Sequence, residues 1–264
     1  MADQDLNGQT ALITGASSGL GVDFARELAA RGARLILVAR REAQLQQVCE
    51  DLRSSYAADV SYRVADLGDP AACTALHQAL SDAGERVDIL INNAGFGLFG
   101  DFQDLSWERT EQMLQVDVVA LTHLTRLFVN GMVARGRGRI MLISSVGAFQ
   151  PSPGYAAYAA AKAYVLSLGH ALHFELRGSG VTCTTVCPGV TATEFLQVSG
   201  QKKTWFHKAT MMTSATVARM GVKRMLAGRP EIVTGLINAL SAFSMRFLPR
   251  QLQALVAFFA MRNH

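Results

Sequence analysis

Ser145, Tyr158 and Lys162 are polar residues whose types and spacing suit proton transfer. Tyr158 and Lys162 stand four residues apart within residues 156–163, an Ala-rich run with strong helix propensity. This spacing puts both side chains on one helix face, with roughly 5–6 Å between their Cβ atoms. A Tyr hydroxyl ordinarily has a pKa of about 10, and a neighbouring ammonium group lowers that pKa toward neutrality.

Ser145 precedes Tyr158 by thirteen residues and ends the apolar run 139–145. If that run is a strand, Ser145 lies at its carboxyl end, where open α/β sheets place their ligands. The alternative interpretation is that Ser145 caps a turn, Tyr158 packs in the core and Lys162 is solvated. A Tyr-x-x-x-Lys motif alone does not decide between the two, so the elements around it must.

The first forty residues predict a βαβ unit. Apolar residues 10–14 and 33–39 indicate two strands, and residues 22–31 have the spacing of an amphipathic helix. The turn between the first strand and the helix contains glycines that let a diphosphate and the next strand approach the backbone. Their order, G-x-x-x-G-x-G, differs from the general dinucleotide fingerprint, yet in this setting it favours nucleotide binding over a plain tight turn. The turn residues expected to contact the nucleotide are Gly15, Ser17, Ser18, Gly19, Leu20 and Gly21.

Arg40 and Arg41 follow the second predicted strand, with no carboxylate before Glu42. In such folds the residue at this position contacts the adenosine ribose. A carboxylate there accepts a hydrogen bond from the 2′-hydroxyl, whereas an Arg accommodates a 2′-phosphate. Two guanidinium groups suit a phosphate dianion, and cations at a helix start are otherwise disfavoured by the helix dipole. These residues therefore favour NADP(H) over NAD(H).

The alternation of strands and helices continues along the chain and predicts one doubly wound α/β domain with a parallel sheet. Residues 8–235 form this domain, with residues 194–213 as a substrate loop or lid, and residues 236–264 form a hydrophobic helical extension. The further strands are expected at residues 60–65, 87–91, 139–145, 181–186 and 231–235, and the further helices at residues 41–54, 70–82, 106–135, 155–177 and 214–227.

Composition excludes several classes of protein. Of 264 residues, 50% are hydrophobic and 17% are charged, and the net charge of +4 is too small and dispersed for nucleic-acid binding. No secretory signal or membrane span is expected, so a cytoplasmic protein is the default prediction. We expect reduced thiols at Cys49, Cys73, Cys183 and Cys187, and no metal site, since His170 and His173 have no third ligand nearby.

Several motifs together resemble those of the short-chain dehydrogenase/reductase superfamily, over about residues 8–235. The resemblance implies a seven-stranded Rossmann sheet of order 3-2-1-4-5-6-7 and hydride exchange between a nicotinamide and a carbonyl or alcohol carbon. The motifs that carry it are Thr14 with the glycine turn, Asp66-Leu67, Asn92-Asn93-Ala94-Gly95, Ser145, Tyr158-x-x-x-Lys162, and Pro188-Gly189 followed by Thr193.

The resemblance implies a role for each member of the Ser-Tyr-Lys set. Tyr158 would be the general acid in reduction, and Ser145 would donate a hydrogen bond to the carbonyl oxygen. Lys162 would lower the pKa of Tyr158 and bind the nicotinamide ribose. Ser144 and Tyr155 lie close by but lack the family's spacing.

Other motif residues would hold the dinucleotide. Asp66 and Leu67 would contact the adenine, and Arg40 stands where family members with a basic residue prefer NADP. Asn93 would contact the adenosine-side ribose region, and residues 190–193, with Val190, Thr191 and Thr193, would approach the carboxamide. The further residues expected to bind the cofactor are Ala94, Gly95, Pro188 and Gly189.

Asp117 departs from the family pattern, which usually has an Asn at this place in the fourth long helix. The Asn helps to hold a water molecule that relays protons to the Lys. Asp117 can still accept a hydrogen bond from water, but its carboxylate could also pair with Lys162 and weaken the effect of that ammonium on Tyr158. We therefore expect a shifted pH–rate profile relative to an Asp117→Asn variant.

The remaining apolar residues bear on the substrate and the tail. Aromatic and Leu residues suggest an apolar pocket and a small, apolar carbonyl or alcohol substrate.

The hydrophobic extension, residues 236–264, is called the tail. It is expected to form one or two amphipathic helices used for core or oligomer packing, with a substrate entrance or a peripheral membrane contact as alternatives. A homodimer or homotetramer is expected from the family's long helices, and a dinucleotide-sensing or scaffolding protein is the alternative function. The residues predicted to form the apolar pocket are Phe96, Phe99, Phe149, Phe195, Leu196, Trp205 and Phe206.

Overall fold

The computed structural model describes residues 5–201 and 210–261, with side chains up to residue 259. Its central feature is a seven-stranded, all-parallel sheet of order β3-β2-β1-β4-β5-β6-β9. This confirms the predicted fold class and strand order, with Glu231–Val233 in the seventh place. The sheet strands are β1 Thr10–Thr14, β2 Arg34–Ala39, β3 Val60–Val64, β4 Ile89–Asn92, β5 Gly138–Ile143, β6 Val181–Cys187 and β9 Glu231–Val233, and β7 Thr191–Ala192 pairs with β8 Met212–Thr213 in a separate two-stranded sheet.

Helices cover both faces of the sheet, because a parallel sheet has two apolar faces to bury. Alternate residues of β2 show this directly: Leu35 and Leu37 join one buried cluster, whereas Ile36 and Val38 join the other. The α-helices are α1 Gly19–Ala29, α2 Glu42–Tyr56, α3 Ala72–Asp82, α4 Trp107–Leu114, α5 Leu121–Ala134, α6 Ala156–Glu175, α7 Phe195–Ser199, α8 Ser214–Leu226, α9 Leu236–Ser244 and α10 Arg250–Met261.

The long helical segment between β4 and β5 is not uniform. A π-helical stretch, Gln115–Ala120, joins α4 to α5 and contains Asp117. Such stretches widen the helix locally and are frequent at functional sites. Among the described residues, Trp107–Ala134 is long and apolar enough to cross a membrane, but Leu124 and Phe128 are buried in the cluster under the sheet. These contacts make the segment a core helix of the fold.

The structure shifts several predicted boundaries. Helix α1 begins at Gly19 rather than Val22, so the last two glycines of the turn belong to its first turn. Strand β5 ends at Ile143 rather than Ser145, because the Ser145 hydroxyl accepts a hydrogen bond from the Gly147 amide and begins a 3₁₀ turn.

The predicted loop at residues 194–213 contains regular structure: helix α7 and strand β8. Residues 202–209 of that loop lie outside the described residues. The predicted tail forms two helices, α9 and α10, separated by a turn that includes Pro249. Cys49, Cys73, Cys183 and Cys187 are unpaired and buried.

Candidate active site

A cleft of about 440 Å³ lies at the carboxyl ends of the central strands and gathers most of the predicted site residues. Of the residues predicted to act in catalysis or to bind the cofactor, Gly21 and Asp117 do not line it. The predicted residues that line the cleft are Gly15, Ser17, Ser18, Gly19, Leu20, Arg40, Arg41, Asp66, Leu67, Asn93, Ala94, Gly95, Ser145, Tyr158, Lys162, Pro188, Gly189, Val190, Thr191 and Thr193.

The glycine turn leaves an open cradle at the start of α1. Gly15 has φ of +66°, and a Cβ atom there would lie 2.9 Å from the Ala94 Cα, so both the conformation and the space require glycine. Ser18, the N-cap residue, makes no side-chain capping bond, and the first turn of α1 contains no acidic residue. The helix N-terminus therefore keeps free N–H groups and a positive dipole end for an anion. This cradle fits the diphosphate of a dinucleotide.

Gly21 has a packing role instead. A Cβ atom at Gly21 would collide with the Gly15 carbonyl oxygen and would lie 2.8 Å from the Asn93 Nδ2. Glycine at this position lets helix α1 pack closely against its own turn. A cofactor contact at Gly21 stays a prediction, and the structure shows Gly21 supporting residues that line the cleft.

Asn93 also supports the turn. Its side-chain amide donates hydrogen bonds to the carbonyl oxygens of Thr14 at 2.9 Å and Gly15 at 3.3 Å. The backbone amides of Asn93 and Ala94 both donate to the Thr14 hydroxyl at 3.0 Å. These bonds tie the end of β4 to the end of β1, so the side chain expected near a ribose acts here on the protein backbone.

Arg40 and Arg41 lie at one end of the cleft and are largely exposed. The Arg40 guanidinium is 3.7 Å from the Asp66 carboxylate. Arg41 donates to the Ser17 hydroxyl and lies 3.3 Å from the Glu194 carboxylate. Arg41 thus connects the glycine turn to the start of the predicted lid, a contact between residues far apart in sequence.

Lys162 and Asp117 form a buried ion pair. The Lys162 Nζ lies 2.9 Å from the Asp117 Oδ2 and donates to the Ile143 carbonyl oxygen at 3.0 Å. The other Asp117 oxygen accepts a hydrogen bond from the Phe96 amide at 3.0 Å. Burial raises the pKa of Asp117, and the Lys162 charge and these hydrogen bonds oppose that rise. The pairing considered possible from the sequence is therefore present.

The Tyr158 hydroxyl is not acidified in this arrangement. Burial raises its pKa, the Asp117 carboxylate raises it further, and hydrogen bonding with Ser145 acts in the opposite direction. Lys162 lies 5.7 Å from the centre of the Tyr158 ring, but its charge is paired with Asp117. The lowering of this pKa by Lys162, which the resemblance implies, stays a prediction, since burial is the main cause of the raised value and Asp117 adds to it.

Ser144 and Tyr155 have structural contacts of their own. The buried Ser144 hydroxyl donates to the Lys162 carbonyl oxygen at 2.7 Å and joins α6 to the end of β5. The Tyr155 hydroxyl lies 2.9 Å from both Ser199 and Gln201. Its ring packs 5.6 Å from that of Tyr158, so Tyr155 belongs to the cleft wall. The sequence could have placed Tyr155 in the cleft wall from its spacing, because Tyr155 precedes Tyr158 by three residues.

The end of the cleft beside Tyr158 is mainly apolar. The Phe195 ring lies 5.5 Å from that of Tyr158, and Phe96 and Leu196 also line the cleft as predicted. Arg109 stacks over Phe96 at 5.1 Å, a lining position that no sequence motif indicated. Of the other predicted pocket residues, Phe99 and Phe149 do not line the cleft, and Trp205 and Phe206 lie outside the described residues.

Comparison with known proteins agrees with this geometry. The family described as short chain dehydrogenase matches residues 9–204. A very-long-chain 3-oxoacyl-CoA reductase of Anas platyrhynchos is 30% identical over 228 residues, which cover 84% of this chain and 72% of that protein.

Two solved structures extend the comparison to the whole fold. A structure of a 7beta-hydroxysteroid dehydrogenase has a TM-score of 0.86 and 25% identity, covering 96% of this chain and 97% of that chain. A short-chain dehydrogenase from Sphingobium yanoikuyae in complex with NADPH has a TM-score of 0.81 and 32% identity, covering 93% of this chain and 98% of that chain.

Proposed function

Because this chain belongs to the short-chain dehydrogenase family of oxidoreductases, we propose that it reduces the carbonyl group of an apolar substrate with NADPH. The observation that supports this most is the position of Tyr158 and Ser145, at the apolar end of a cleft whose other end contains the glycine turn and Arg40. These residues would supply a proton donor, an anion-binding turn and a cation for a 2′-phosphate along one cleft.

The residues present fit a nicotinamide dinucleotide, which when bound supplies the hydride. The free N–H groups at the start of α1 would hold the diphosphate. Asp66 and Leu67 would flank the adenine, and Lys162 would bind the nicotinamide ribose. Pro188, Gly189, Val190, Thr191 and Thr193 line the cleft and would orient the carboxamide.

Tyr158 would protonate the carbonyl oxygen during reduction. Because its pKa is raised by burial and by Asp117, the hydroxyl is fully protonated near neutral pH and available as a donor. Ser145 would donate a second hydrogen bond to the same oxygen and stabilise the developing negative charge.

The preference for NADPH is proposed to depend on Arg40 and Arg41. Replacing both by Ala should raise KM for NADPH by about 30-fold, the effect of losing one strong charged hydrogen bond, and should leave KM for NADH within a few fold. Arg126→Ala is the control, because Arg126 is exposed on α5 and bonds Asn130, away from the cleft. Equal changes in KM for the two cofactors would show that these residues do not read the 2′-phosphate.

The substrate is proposed to be an apolar ketone, aldehyde, steroid-like or acyl carbonyl compound. Phe96, Phe195 and Leu196 line the cleft near Tyr158, and the names of two relatives refer to a hydroxysteroid and a very-long-chain 3-oxoacyl-CoA. NADPH oxidation measured against matched apolar and sugar-like carbonyls should give kcat/KM at least 100-fold higher for the apolar set. A preference for sugar carbonyls would contradict this substrate class.

A dinucleotide-sensing or scaffolding protein is the second candidate. It is favoured by the Asp117–Lys162 ion pair, which removes the ammonium effect that would activate Tyr158. The same carbonyl panel separates the two functions, because a sensor would bind NADPH but oxidise it with none of the compounds.

A homo-oligomer stays a prediction. Exposed apolar residues on the two long helices support it: Val133 on α5, and Tyr164 and Phe174 on α6.

A further inference from the structure

The last two helices turn their apolar residues outward. On α9 and α10 these side chains recur at helical spacing, so each helix has a continuous apolar stripe, and their exposed fractions lie between 47% and 77%. We call this surface the tail face; its residues are Leu236, Ile237, Leu240 and Phe243 of α9, Phe247 of the following turn, and Leu252, Leu255, Val256 and Phe259 of α10.

The opposite, inner side of the same helices carries small apolar residues, Ala242 and Ala257, and two polar side chains. Asn238 is buried and donates to the Thr234 carbonyl oxygen at 2.9 Å. Gln253 is buried and donates to the carbonyl oxygens of Met245 at 2.7 Å and Leu248 at 2.9 Å. Rolling either helix to bury its stripe would break these bonds and leave buried polar groups unsatisfied, which is unfavourable. The outward orientation of the tail face is therefore held by specific contacts.

An apolar surface of this extent indicates a binding site. Monomeric proteins rarely expose contiguous apolar patches larger than a few hundred Å². Of the uses expected for the tail from the sequence, a membrane contact is the one that an exposed apolar stripe on each helix fits. The partner that binds the tail face must therefore have an apolar region.

The charges around the tail face identify the occupant. Residues 236–264 contain Arg246, Arg250 and Arg262 and no Asp or Glu. Arg246 and Arg250 are exposed beside the stripes, and the Arg246 guanidinium lies 5.7 Å from the centre of the Phe243 ring. Two copies of this chain joined through the tail face would bring cations against cations. An anionic bilayer would neutralise them and accept the apolar stripes.

We propose that α9 and α10 form a docking surface for an anionic membrane, with the apolar stripes inserted at the headgroup boundary and Arg246 and Arg250 at the lipid phosphates. Helix α9 borders the cleft through its inner side, because Asn238 packs against Gly189 and leaves no room for a Cβ atom there. If the proposed function holds, the bilayer would be a source of apolar substrate close to the site. The membrane contact itself does not depend on that activity.

Sedimentation of the full chain with vesicles tests the proposal without any turnover. Vesicles of phosphatidylcholine mixed with phosphatidylserine should bind the protein, and vesicles of phosphatidylcholine alone should bind it much more weakly. Arg246→Gln with Arg250→Gln should weaken binding to the mixed vesicles by about 30-fold. Leu240→Ser with Phe247→Ser should weaken binding to both vesicle types by at least tenfold.

The matched control is Tyr56→Ser with Phe102→Ser, two exposed aromatic residues outside the tail, which should bind like the parent chain. All variants change exposed side chains, and thermal unfolding verifies that they remain folded. Failure of the parent chain to bind mixed vesicles would overturn the proposal. So would light scattering that shows a dimer dissociated by Leu240→Ser with Phe247→Ser, because the occupant would then be a second copy.

Discussion

Tyr158→Phe is expected to lower kcat for carbonyl reduction by about 10³-fold, because general acid catalysis contributes roughly 10²–10⁴-fold. The substitution removes one hydroxyl group and keeps the ring that packs against Phe195 and Tyr155. Affinity for NADPH, measured by fluorescence titration, should therefore change only a few fold. A large loss of kcat with retained cofactor binding would assign Tyr158 to the chemical step.

Tyr155→Phe is the matched control for this experiment. Tyr155 lies on the same helix and lines the same cleft, and the same single hydroxyl is removed. Its hydroxyl contacts Ser199 and Gln201, so the loss should lower stability by about 1 kcal/mol and leave kcat within a few fold. If Tyr158→Phe kept full activity, or if Tyr155→Phe lost as much as Tyr158→Phe, the assignment of the proton donor would be wrong.

Asp117→Asn is expected to move the pH dependence of both reaction directions toward lower pH. In the parent chain the Asp117 carboxylate raises the pKa of Tyr158 and pairs with Lys162. Removing its negative charge leaves the ammonium free to stabilise the phenolate. Opposite charges at such distances shift a pKa by about 1–3 units, so the pKa of Tyr158 should fall by at least about one unit.

The sign of the effect differs between the two directions. Alcohol oxidation requires the phenolate as a base, so a fall of about one unit should raise the oxidation rate near neutral pH by about tenfold. Carbonyl reduction requires the protonated hydroxyl, and the alkaline pH at which its rate declines should fall by the same amount. Profiles of kcat/KM against pH in both directions measure this.

Asp104→Asn is a suitable control, because it removes the same charge from an exposed residue. Its profiles should coincide with those of the parent chain. Thermal unfolding of Asp117→Asn shows whether the buried Lys162 is tolerated without its partner, since breaking a buried ion pair destabilises a protein. Coincident profiles for Asp117→Asn and the parent chain would show that Asp117 does not control Tyr158.

Local sequence patterns predicted much of the fold and most of the residues that line the cleft. The alternation of β-strand runs and amphipathic helices predicted the parallel sheet, because burial of both sheet faces imposes a pattern along each strand. The glycine turn could also be predicted from the sequence. Gly15 takes a left-handed conformation close to Ala94, and few residues other than glycine tolerate it. Motif order then placed Tyr158 and Lys162 beside that turn.

The distances between residues far apart in the sequence could not be predicted in this way. The pattern of residues 106–135 predicted a helix, but only packing brings the Asp117 carboxylate to 2.9 Å from Lys162, where it adds to the rise that burial causes in the pKa of Tyr158. Asn93 was expected near a ribose, yet its amide bonds Thr14 and Gly15. Electrostatic and hydrogen-bonding effects depend on distances of a few ångström, and motif spacing does not specify these.

The tail shows the same limit most clearly. Its helical periodicity was evident from the residues, and it defined an apolar and a polar face for each helix. Periodicity does not say which face meets the rest of the protein. That depends on whether Asn238 and Gln253 find carbonyl oxygens to bond, and in the folded chain both do. The side that carries Asn238 and Gln253 is therefore inside, together with Ala242 and Ala257, and the stripe of large apolar residues is left for a partner.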